Sequence, residues 1–469
     1  MTEQPVKLYA PRVKIHPRSV KGRFRTLKNA VLVLAYGVYF LLPWLPWERA
    51  AGPHQAVSFD LVGRRFYIFD LVVHAQDIFW LAGVLAIFAF LLFFVTGIAG
   101  RVFCGYFCFQ TLWTDVFQKI ERLVQGERPA RVKLDRMPWN AEKLRKKALT
   151  HLLWLVVAFW TGLTFTLYWG YAPELFADFF TGQAPFPAYA TTFFLTATTY
   201  VMAGLAREQV CTYMCPYARF QGAMFDRDTL IVAYDRKRGE GEKGRHKVTR
   251  DLRTREQRQA AGVGDCIDCG YCVQVCPTGI DIRNGLQYQC ITCALCIDAC
   301  DNIMDQLGWP RGLIRYTSET ALEGGKVRIL KPKTIGYGLF LLLGIAALIW
   351  SIRTASDIDM AVRQVRQPLF VTLSDGRIQN SYEIKLNNKS DRRLQIALAL
   401  EGLPGAELTL SGHLDRLVLG PEERLRLLVR VRMPPQPGVR RMEGRLVVRF
   451  PDEPDHPPIS EPIVFVFPR

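Results

Sequence analysis

The stretch Cys266-Ile-Asp-Cys269-Gly-Tyr-Cys272-Val-Gln-Val-Cys276-Pro277 recurs, in its cysteine spacing, as Cys290-Ile-Thr-Cys293-Ala-Leu-Cys296-Ile-Asp-Ala-Cys300-Asp301. Eight of the 12 cysteines of the chain lie in these two runs. The spacing C-x2-C-x2-C-x3-C is typical of bacterial ferredoxins that carry two [4Fe–4S] clusters. The pattern therefore predicts an α+β ferredoxin-like domain, at about residues 260–310, that moves electrons.

The ligands of each cluster follow from the spacing, because the fourth cysteine of each run in a two-cluster ferredoxin binds the other cluster. We assign one cluster to Cys266, Cys269, Cys272 and Cys300, and the other to Cys276, Cys290, Cys293 and Cys296. The alternatives are two zinc sites or a disulfide knot. Zinc usually takes two separated C-x2-4-C pairs, so the triplet spacing favours the clusters.

Five apolar segments explain the hydrophobic content of 49% in this 469-residue chain. Each is close to the ~20 residues that a helix needs to cross a bilayer. The sequence therefore predicts a bundle of five transmembrane helices. The segments are Leu27–Leu45, Ile78–Ile98, Leu149–Tyr168, Phe186–Ala206 and Thr334–Ile352.

The distribution of lysine and arginine predicts the topology. Residues 1–28 carry eight of these cations and residues 100–148 carry 11, whereas residues 172–187 carry none. The positive-inside rule then places the N-terminus in the cytoplasm and, after five spans, the C-terminus in the periplasm of a bacterial inner membrane. The net charge of +17 follows largely from this asymmetry. No basic face with base-stacking aromatics is evident, so we expect no nucleic-acid partner.

The predicted domains follow from these segments. We expect a cytoplasmic tail (1–26), four spans with a periplasmic hairpin at about 57–69 (27–206), a cytoplasmic ferredoxin-like segment (207–333), a fifth span (334–352) and a periplasmic domain (353–469). Residues 235–258 carry charges of both signs and are interpreted as a solvated linker. The last domain alternates apolar and polar residues in about seven short strands, which predicts an immunoglobulin-like sandwich.

Four further cysteines form two C-x3-C pairs, Cys104/Cys108 and Cys211/Cys215. Each pair follows the cytoplasmic end of an apolar segment, so the two halves form a weak internal repeat. Cysteines at i and i+4 of a helix share one face, and soft thiolates favour copper(I). The four thiols predict one four-thiolate site, two linear copper(I) sites or redox dithiols. Ordinary buried cysteine is the alternative. The seven histidines show no ligand spacing, and none is assigned to a metal.

The residues that follow the two pairs differ. Pro216 predicts a helix that begins directly after Cys215, and the helix dipole lowers the pKa of a thiol at that place. Phe109 gives no such signal after Cys108.

Nearly the whole chain resembles the cytochrome c oxidase accessory proteins called CcoG, FixG or RdxA, which are membrane polyferredoxins. The family carries proline after both C-x3-C motifs, so Phe109 leaves the local turn at Cys108 open. The resemblance rests on seven segments: Gly63-Arg-Arg-Phe-Tyr-Ile-Phe69, Cys104-Gly-Tyr106, Gln110-Thr111, Trp113-Thr-Asp115, Cys211-Thr-Tyr-Met-Cys215-Pro216, Cys296-Ile-Asp-Ala-Cys300-Asp301 and Pro310-Arg-Gly-Leu-Ile-Arg-Tyr316.

The resemblance implies a cupric reductase that supplies copper(I) for the copper site of cbb3-type cytochrome oxidase. It implies two [4Fe–4S] clusters as cofactors and copper at the C-x3-C thiols. It also implies a copper-exporting ATPase and oxidase assembly factors as partners in the membrane, with an electron donor that the sequence does not identify. Two alternatives stay open: a quinol- or ferredoxin-linked electron relay to another acceptor, and a non-enzymatic assembly scaffold or copper chaperone.

Overall fold

The computed structural model describes residues 14–49, 52–74, 77–390, 392–410, 417–421, 423–453 and 456–468. These residues form two compact units. The first ends at Leu348 and holds all the cysteines, and the second begins at Ile349 and also takes in Trp47–His54 and Asp70–Val72.

The first unit is mostly helical. Its strands are β1 (Val57–Asp60), β2 (Arg65–Ile68), β4 (Ile231–Tyr234) and β5 (Ile314–Thr317), and β3 (Leu71–His74) lies across the boundary between the units. β1 and β2 pair antiparallel, with Val57 opposite Ile68. The helices are α1 (Arg23–Leu41), α2 (Ile78–Ala99), α3 (Val102–Tyr106), α4 (Phe109–Gln125), α5 (Arg128–Arg136), α6 (Ala141–Leu167), α7 (Ala172–Thr181), α8 (Phe186–Thr199), α9 (Pro216–Met224), α10 (Arg236–Glu240), α11 (Arg255–Ala260), α12 (Tyr271–Gln274), α13 (Leu295–Leu307), α14 (Glu319–Leu322) and α15 (Pro332–Arg353).

Four helices of the described residues are long and apolar enough to cross a membrane. They leave most of their apolar side chains uncovered by protein, and such a surface is what a bilayer covers. They indicate a membrane location. The four helices are Arg23–Trp44, Ile78–Ala99, Ala141–Leu167 and Pro332–Arg353.

The segment predicted as the fourth span is helical but irregular. α8 is followed directly by a π-helix at Tyr200–Ala206, and the residues at the junction keep helical φ and ψ. The α-helical part has 14 residues, fewer than the ~20 of a regular span. The wider π turn brings Gly204 against Trp154 of α6, where a Cβ would lie 3.0 Å from the ring. The structure thus differs from the regular span that periodicity predicts.

The described residues before α1, from Lys14 onward, lie along the domain that carries the cysteine runs. The Arg18 amide donates to the Gln274 carbonyl at 2.7 Å. Asp298 of α13 accepts from the amides of Phe24 and Arg25 at 3.2 and 2.7 Å. The first N–H groups of a helix have no partner within the helix, and the Asp298 carboxylate caps them in α1. The first apolar helix is thus anchored directly on the helix of the second cysteine run.

Residues 235–258, interpreted from composition as a solvated linker, are folded onto this domain. α10 lies in this stretch and α11 begins in it, and Arg238 donates to the carbonyls of Arg311 and Pro310. Arg258 is fully buried. The linker interpretation is wrong at Arg238 and Arg258, whose charges are used in specific hydrogen bonds that composition does not show, whereas residues 246–251 are exposed.

The second unit is a two-sheet antiparallel β structure. One sheet has the order β10-β12-β8-β6 with β7 also on β8, and the other has the order β11-β9-β13-β14. β8 buries every second residue over most of its length, as a strand that faces a core does. The strands of the described residues are β6 (Ile358–Gln364), β7 (Val371–Thr372), β8 (Ile378–Asn388), β9 (Leu394–Glu401), β10 (Glu407–Leu410), β11 (Leu417–Leu419), β12 (Arg424–Met433), β13 (Arg441–Arg449) and β14 (Ile459–Val466).

Candidate iron–sulfur and thiol sites

The two cysteine runs adopt the same unusual backbone conformation. In the first run the residues on either side of the second cysteine, Asp268 and Gly270, have φ of 51° and 64°. In the second run the equivalent residues, Thr292 and Ala294, have φ of 55° and 60°. Left-handed backbone is costly for residues other than glycine. Alternation of such residues turns successive N–H groups inward, as in anion-binding nests.

The first cysteine group consists of Cys266, Cys269, Cys272 and Cys300. Burial raises the pKa of the Cys300 thiol, and the thiols of Cys272, Cys266 and Cys269 raise it further. Cys300 also packs against the apolar cluster that contains Cys266 and Cys272. Cys266 and Cys272 are buried, whereas Cys269 is exposed. The fold thus brings the last cysteine of the second run to the first three of the first run.

The second cysteine group consists of Cys276, Cys290, Cys293 and Cys296, and all four line one cavity. Burial raises the pKa of Cys290 to about 12, and the thiols of Cys293 and Cys276 also raise it. Cys272 of the first group borders the same cavity. The two groups therefore adjoin.

Both groups suit [4Fe–4S] clusters. Their walls are apolar and include Val232, Ile282, Ile297 and Trp309. No three His, Cys, Asp or Glu side chains among the described residues are close enough to hold a single metal ion. A zinc site needs such a compact set, whereas a cuboidal cluster takes its thiolates at four separate corners. The residues thus fit two clusters better than two zinc ions.

The two C-x3-C motifs share one local turn, and Phe109 does not disturb it. The Cys108 amide donates to the Phe103 carbonyl at 3.0 Å, and the Cys215 amide donates to the Val210 carbonyl at 2.8 Å. Both cysteines then occupy the N-cap of a helix in extended conformation. The expected pairing of i and i+4 on one regular helical face is wrong, because the chain leaves the helix between the two cysteines of each pair.

The four thiols of these motifs lie within electrostatic range of one another, and we call them the thiol site. Burial raises the pKa of Cys211 to about 12, and Cys108, Cys104 and Cys215 add to the effect. Burial raises the pKa of Cys104 to about 11, and Cys108 and Cys215 again contribute. Arg101 opposes both shifts.

A hydrogen bond ties the two motifs together. The Cys104 thiol donates to Oε1 of the buried Gln221 at 3.2 Å. Gln221 belongs to α9, the helix that begins after Cys215. The two halves of the internal repeat thus adjoin in the fold.

The thiol site packs directly on the second cysteine group. Cys104 and Cys293 belong to one buried apolar cluster. Between them Gly105 is so close that a Cβ would lie 2.7 Å from the Ile291 carbonyl oxygen and 3.0 Å from Cys293 Cα. The Tyr106 hydroxyl donates to the Cys293 carbonyl at 3.1 Å. Only one layer of backbone therefore separates the thiol site from the second cysteine group.

Several residues of this junction escaped sequence reasoning. Arg101 is 2% exposed and reaches both the thiol site and the second cysteine run. Gly105 and Gln221 hold the motifs together. One signal for Arg101 was present in the sequence. This residue lies three positions before a cysteine and just after an apolar helix, and a charge at such a place needs a partner.

Comparisons with known proteins identify iron–sulfur and Ig-like regions in this chain. Residues 206–319 match a family described as a 4Fe-4S dicluster domain. Residues 78–126, which include the first C-x3-C motif, match a 4Fe-4S binding domain. Residues 348–468 match the Ig-like fold at the C-terminus of FixG. The two-sheet unit is thus of the predicted immunoglobulin-like kind.

Two relatives cover most of the chain. Nitrogen fixation protein FixG of Rhizobium meliloti is 40% identical in an alignment of 444 residues that covers 87% of this chain and 82% of the relative. Protein RdxA of Cereibacter sphaeroides is 43% identical in an alignment of 416 residues that covers 86% of each chain. A crystal structure of a FixG-related protein from Vibrio parahaemolyticus covers 24% of this chain and 97% of its own, at 18% identity and a TM-score of 0.21, too low to add to the argument. With such identity over most of its length, this chain belongs to the FixG/RdxA family of iron–sulfur proteins.

Proposed function

We propose that this iron–sulfur electron-transfer protein reduces copper(II) to copper(I) at its four C-x3-C thiols and so supplies the copper site of a cbb3-type cytochrome oxidase. The observation that carries the proposal is the junction at Gly105. The backbone next to Cys104 lies in van der Waals contact with the backbone of Cys293, so the soft-metal ligands adjoin an iron–sulfur site.

The two cysteine groups would hold the clusters: Cys266, Cys269, Cys272 and Cys300 the first, and Cys276, Cys290, Cys293 and Cys296 the second. When bound, the two clusters supply one-electron carriers within an apolar core. The exposed Cys269 makes the first group the side at which an electron donor docks. The second group has no exposed cysteine, and its buried Cys293 faces the thiol site.

The thiol site would bind copper as its substrate. Without a metal, burial keeps the Cys104 and Cys211 thiols protonated at neutral pH, because their pKa values lie at about 11 and about 12. Copper binding therefore displaces one proton from each thiol that coordinates. One electron then converts copper(II) to copper(I), which soft thiolates stabilise. Since no three candidate ligands in the described part of the chain lie close enough for one ion, a two-thiolate, linear product fits best.

The membrane arrangement belongs to the same proposal. Five helical segments, with the irregular one at residues 186–206 as the fourth, would place the cysteines on the cytoplasmic side of a bacterial inner membrane and the Ig-like domain in the periplasm. A copper-exporting ATPase and oxidase assembly factors would be the partners that handle copper before and after reduction.

A direct test uses protein purified anaerobically in detergent, reduced with dithionite and freed of the reductant. Added copper(II) should appear as copper(I), captured by a copper(I)-specific chelator, with about one ion for each reduced cluster. A variant with serine at Cys104, Cys108, Cys211 and Cys215 should keep its iron and lose the reaction. Equal rates in the variant and the wild type contradict the proposal, and reoxidation by a quinone analogue but not by copper supports the relay alternative.

A second candidate role for the thiol site comes from the match of residues 78–126 to a 4Fe-4S binding domain. Under that alternative the four thiols hold a third cluster, and copper is not the acceptor there. Iron analysis separates the two cases, because a third cluster adds half as much iron again. The four-serine variant then loses iron in proportion, whereas the copper proposal predicts unchanged iron content.

A further inference from the structure

The described part of the chain buries four arginines, and they differ in how their charge is compensated. Arg131 and Arg207 both face the buried carboxylate of Glu121, at 3.3 Å and 2.5 Å. Arg101 and Arg258, which are 2% and 0% exposed, form no ion pair with a carboxylate among the described residues. A buried charge without a counter-charge is strongly unfavourable, so these two guanidinium groups require an anion.

Arg258 lies against the first cysteine group. Its Nη2 donates to the Cys266 carbonyl at 3.0 Å, and its Nε donates to the Gly264 carbonyl at 2.9 Å. Nη1 is buried and has no hydrogen-bond partner. The neighbouring carboxylate of Asp265 is already engaged by Arg238 at 2.7 Å and Arg255 at 3.2 Å. The face of Trp309, 5.7 Å from the guanidinium carbon, adds only a modest attraction.

Arg101 lies against the second cysteine group and the thiol site. Its Nη1 donates to the carbonyl of Tyr288, two residues before Cys290. Its Nη2 lies 4.0 Å from Cys104 Sγ. Nε is buried without a partner. The positive charge thus stands between Cys290 and Cys104, and it opposes the upward pKa shift of both thiols.

A bound [4Fe–4S] cluster would supply the negative charge that each of these two arginines requires. A [4Fe–4S] cluster with four thiolate ligands is dianionic when oxidised and trianionic when reduced. A nearby cation in a low-dielectric core stabilises the reduced form more than the oxidised form, because the reduced form carries more negative charge.

We propose that Arg258 and Arg101 are the counter-cations of the first and second clusters, one for each, and that they set the two reduction potentials. The proposal rests on the assignment of the cysteine groups as cluster sites. Arg101 has an additional role, since the same charge faces the thiols at which copper would bind. It therefore lowers the electrostatic repulsion between a reduced second cluster and anionic thiolates.

The test is a redox titration of the full chain in detergent, followed by EPR and without copper. We expect Arg258→Gln to lower the reduction equilibrium constant of one cluster at least ten-fold, which for one electron corresponds to ~59 mV. Arg101→Gln should lower that of the other cluster by a similar factor. Arg236→Gln, at a side chain that is 81% exposed, is the matched control and should shift neither.

The pattern of shifts decides the outcome. Two variants that each move a different signal support the proposal, and variants that shift neither signal beyond the Arg236→Gln control overturn it. If a glutamine variant loses its cluster, Arg101→Lys and Arg258→Lys should restore iron content because they keep the charge. Restoration by methionine but not by lysine overturns the proposal. Because no copper is present, this result is independent of whether the protein reduces copper.

Discussion

The junction at Gly105 makes the sharpest prediction, because the contact leaves no room for a side chain. An alanine Cβ would lie 2.7 Å from the Ile291 carbonyl oxygen, whereas ordinary contact begins at 3.4 Å. To restore ordinary contact, Gly105→Ala must therefore push the backbone of the thiol site away from that of the second cysteine group by ~0.7 Å, the difference of these two distances.

The cost of this displacement has three parts. Overpacking costs about 1–3 kcal/mol. The hydrogen bond from Tyr106 to the Cys293 carbonyl, 3.1 Å in the protein, stretches beyond bonding distance and costs about 1 kcal/mol. Replacement of glycine by alanine within a helix stabilises the protein by roughly 0.5–1 kcal/mol, which offsets part of this cost. The net loss of stability is then about 1–3 kcal/mol.

Gly222→Ala is the matched control. Gly222 lies in α9, the helix after the second C-x3-C motif, and no atom comes within 4 Å of the position that a Cβ would take there. This variant should be as stable as the wild type or slightly more stable, and should reduce copper at the wild-type rate.

Two measurements check the comparison: thermal unfolding of the detergent-solubilised protein and the rate of copper(I) formation after reduction. We expect Gly105→Ala to unfold at lower temperature and to reduce copper more slowly, with unchanged iron content. If Gly105→Ala equals Gly222→Ala in both measurements, the backbone contact is not the junction between the sites, and the reasoning fails.

Three further predictions concern stability and are measured by denaturant unfolding of the solubilised chain. Glu121→Gln leaves its two buried arginines uncompensated and should cost about 3–5 kcal/mol, whereas Glu142→Gln, on an exposed ion pair, should change nothing measurable. Asp298→Asn removes the charged cap of α1 and should cost about 1 kcal/mol, while the exposed Asp305→Asn should be neutral. Tyr382→Phe loses a 2.8 Å hydrogen bond to a backbone carbonyl of β14 and should lower the free energy of unfolding of the Ig-like unit by about 1 kcal/mol. An unchanged stability of that unit would contradict this hydrogen bond.

Spacing alone suggests which cysteines would share a cluster, because a C-x2-C-x2-C-x3-C run constrains which thiols can converge. In the structure Cys300 lies near the first run and Cys276 lines a cavity with the second run, and the ligand assignment itself stays a prediction. Hydropathy predicted four of the helical spans, and alternation predicted the sandwich, since both patterns depend on local sequence alone.

What sequence could not predict depends on tertiary contacts. The turn at Cys108 forms without a proline, because the amide of Cys108 reaches the Phe103 carbonyl. The π-helix at Tyr200–Ala206 and the folding of residues 235–258 depend on neighbours distant in sequence. The spacing of the C-x3-C motifs does not show that the two motifs adjoin, since two separate pairs satisfy the same pattern.

The central claim is that electrons held at the cysteine groups reach copper through the thiol site. The most direct measurement is freeze-quench EPR after rapid mixing of fully reduced, reductant-free protein with copper(II). The account predicts that the reduced-cluster signal and the copper(II) signal decay together and in equal amounts, and that both persist when Cys104, Cys108, Cys211 and Cys215 are serine. Equal decay of both signals in the serine variant would contradict it.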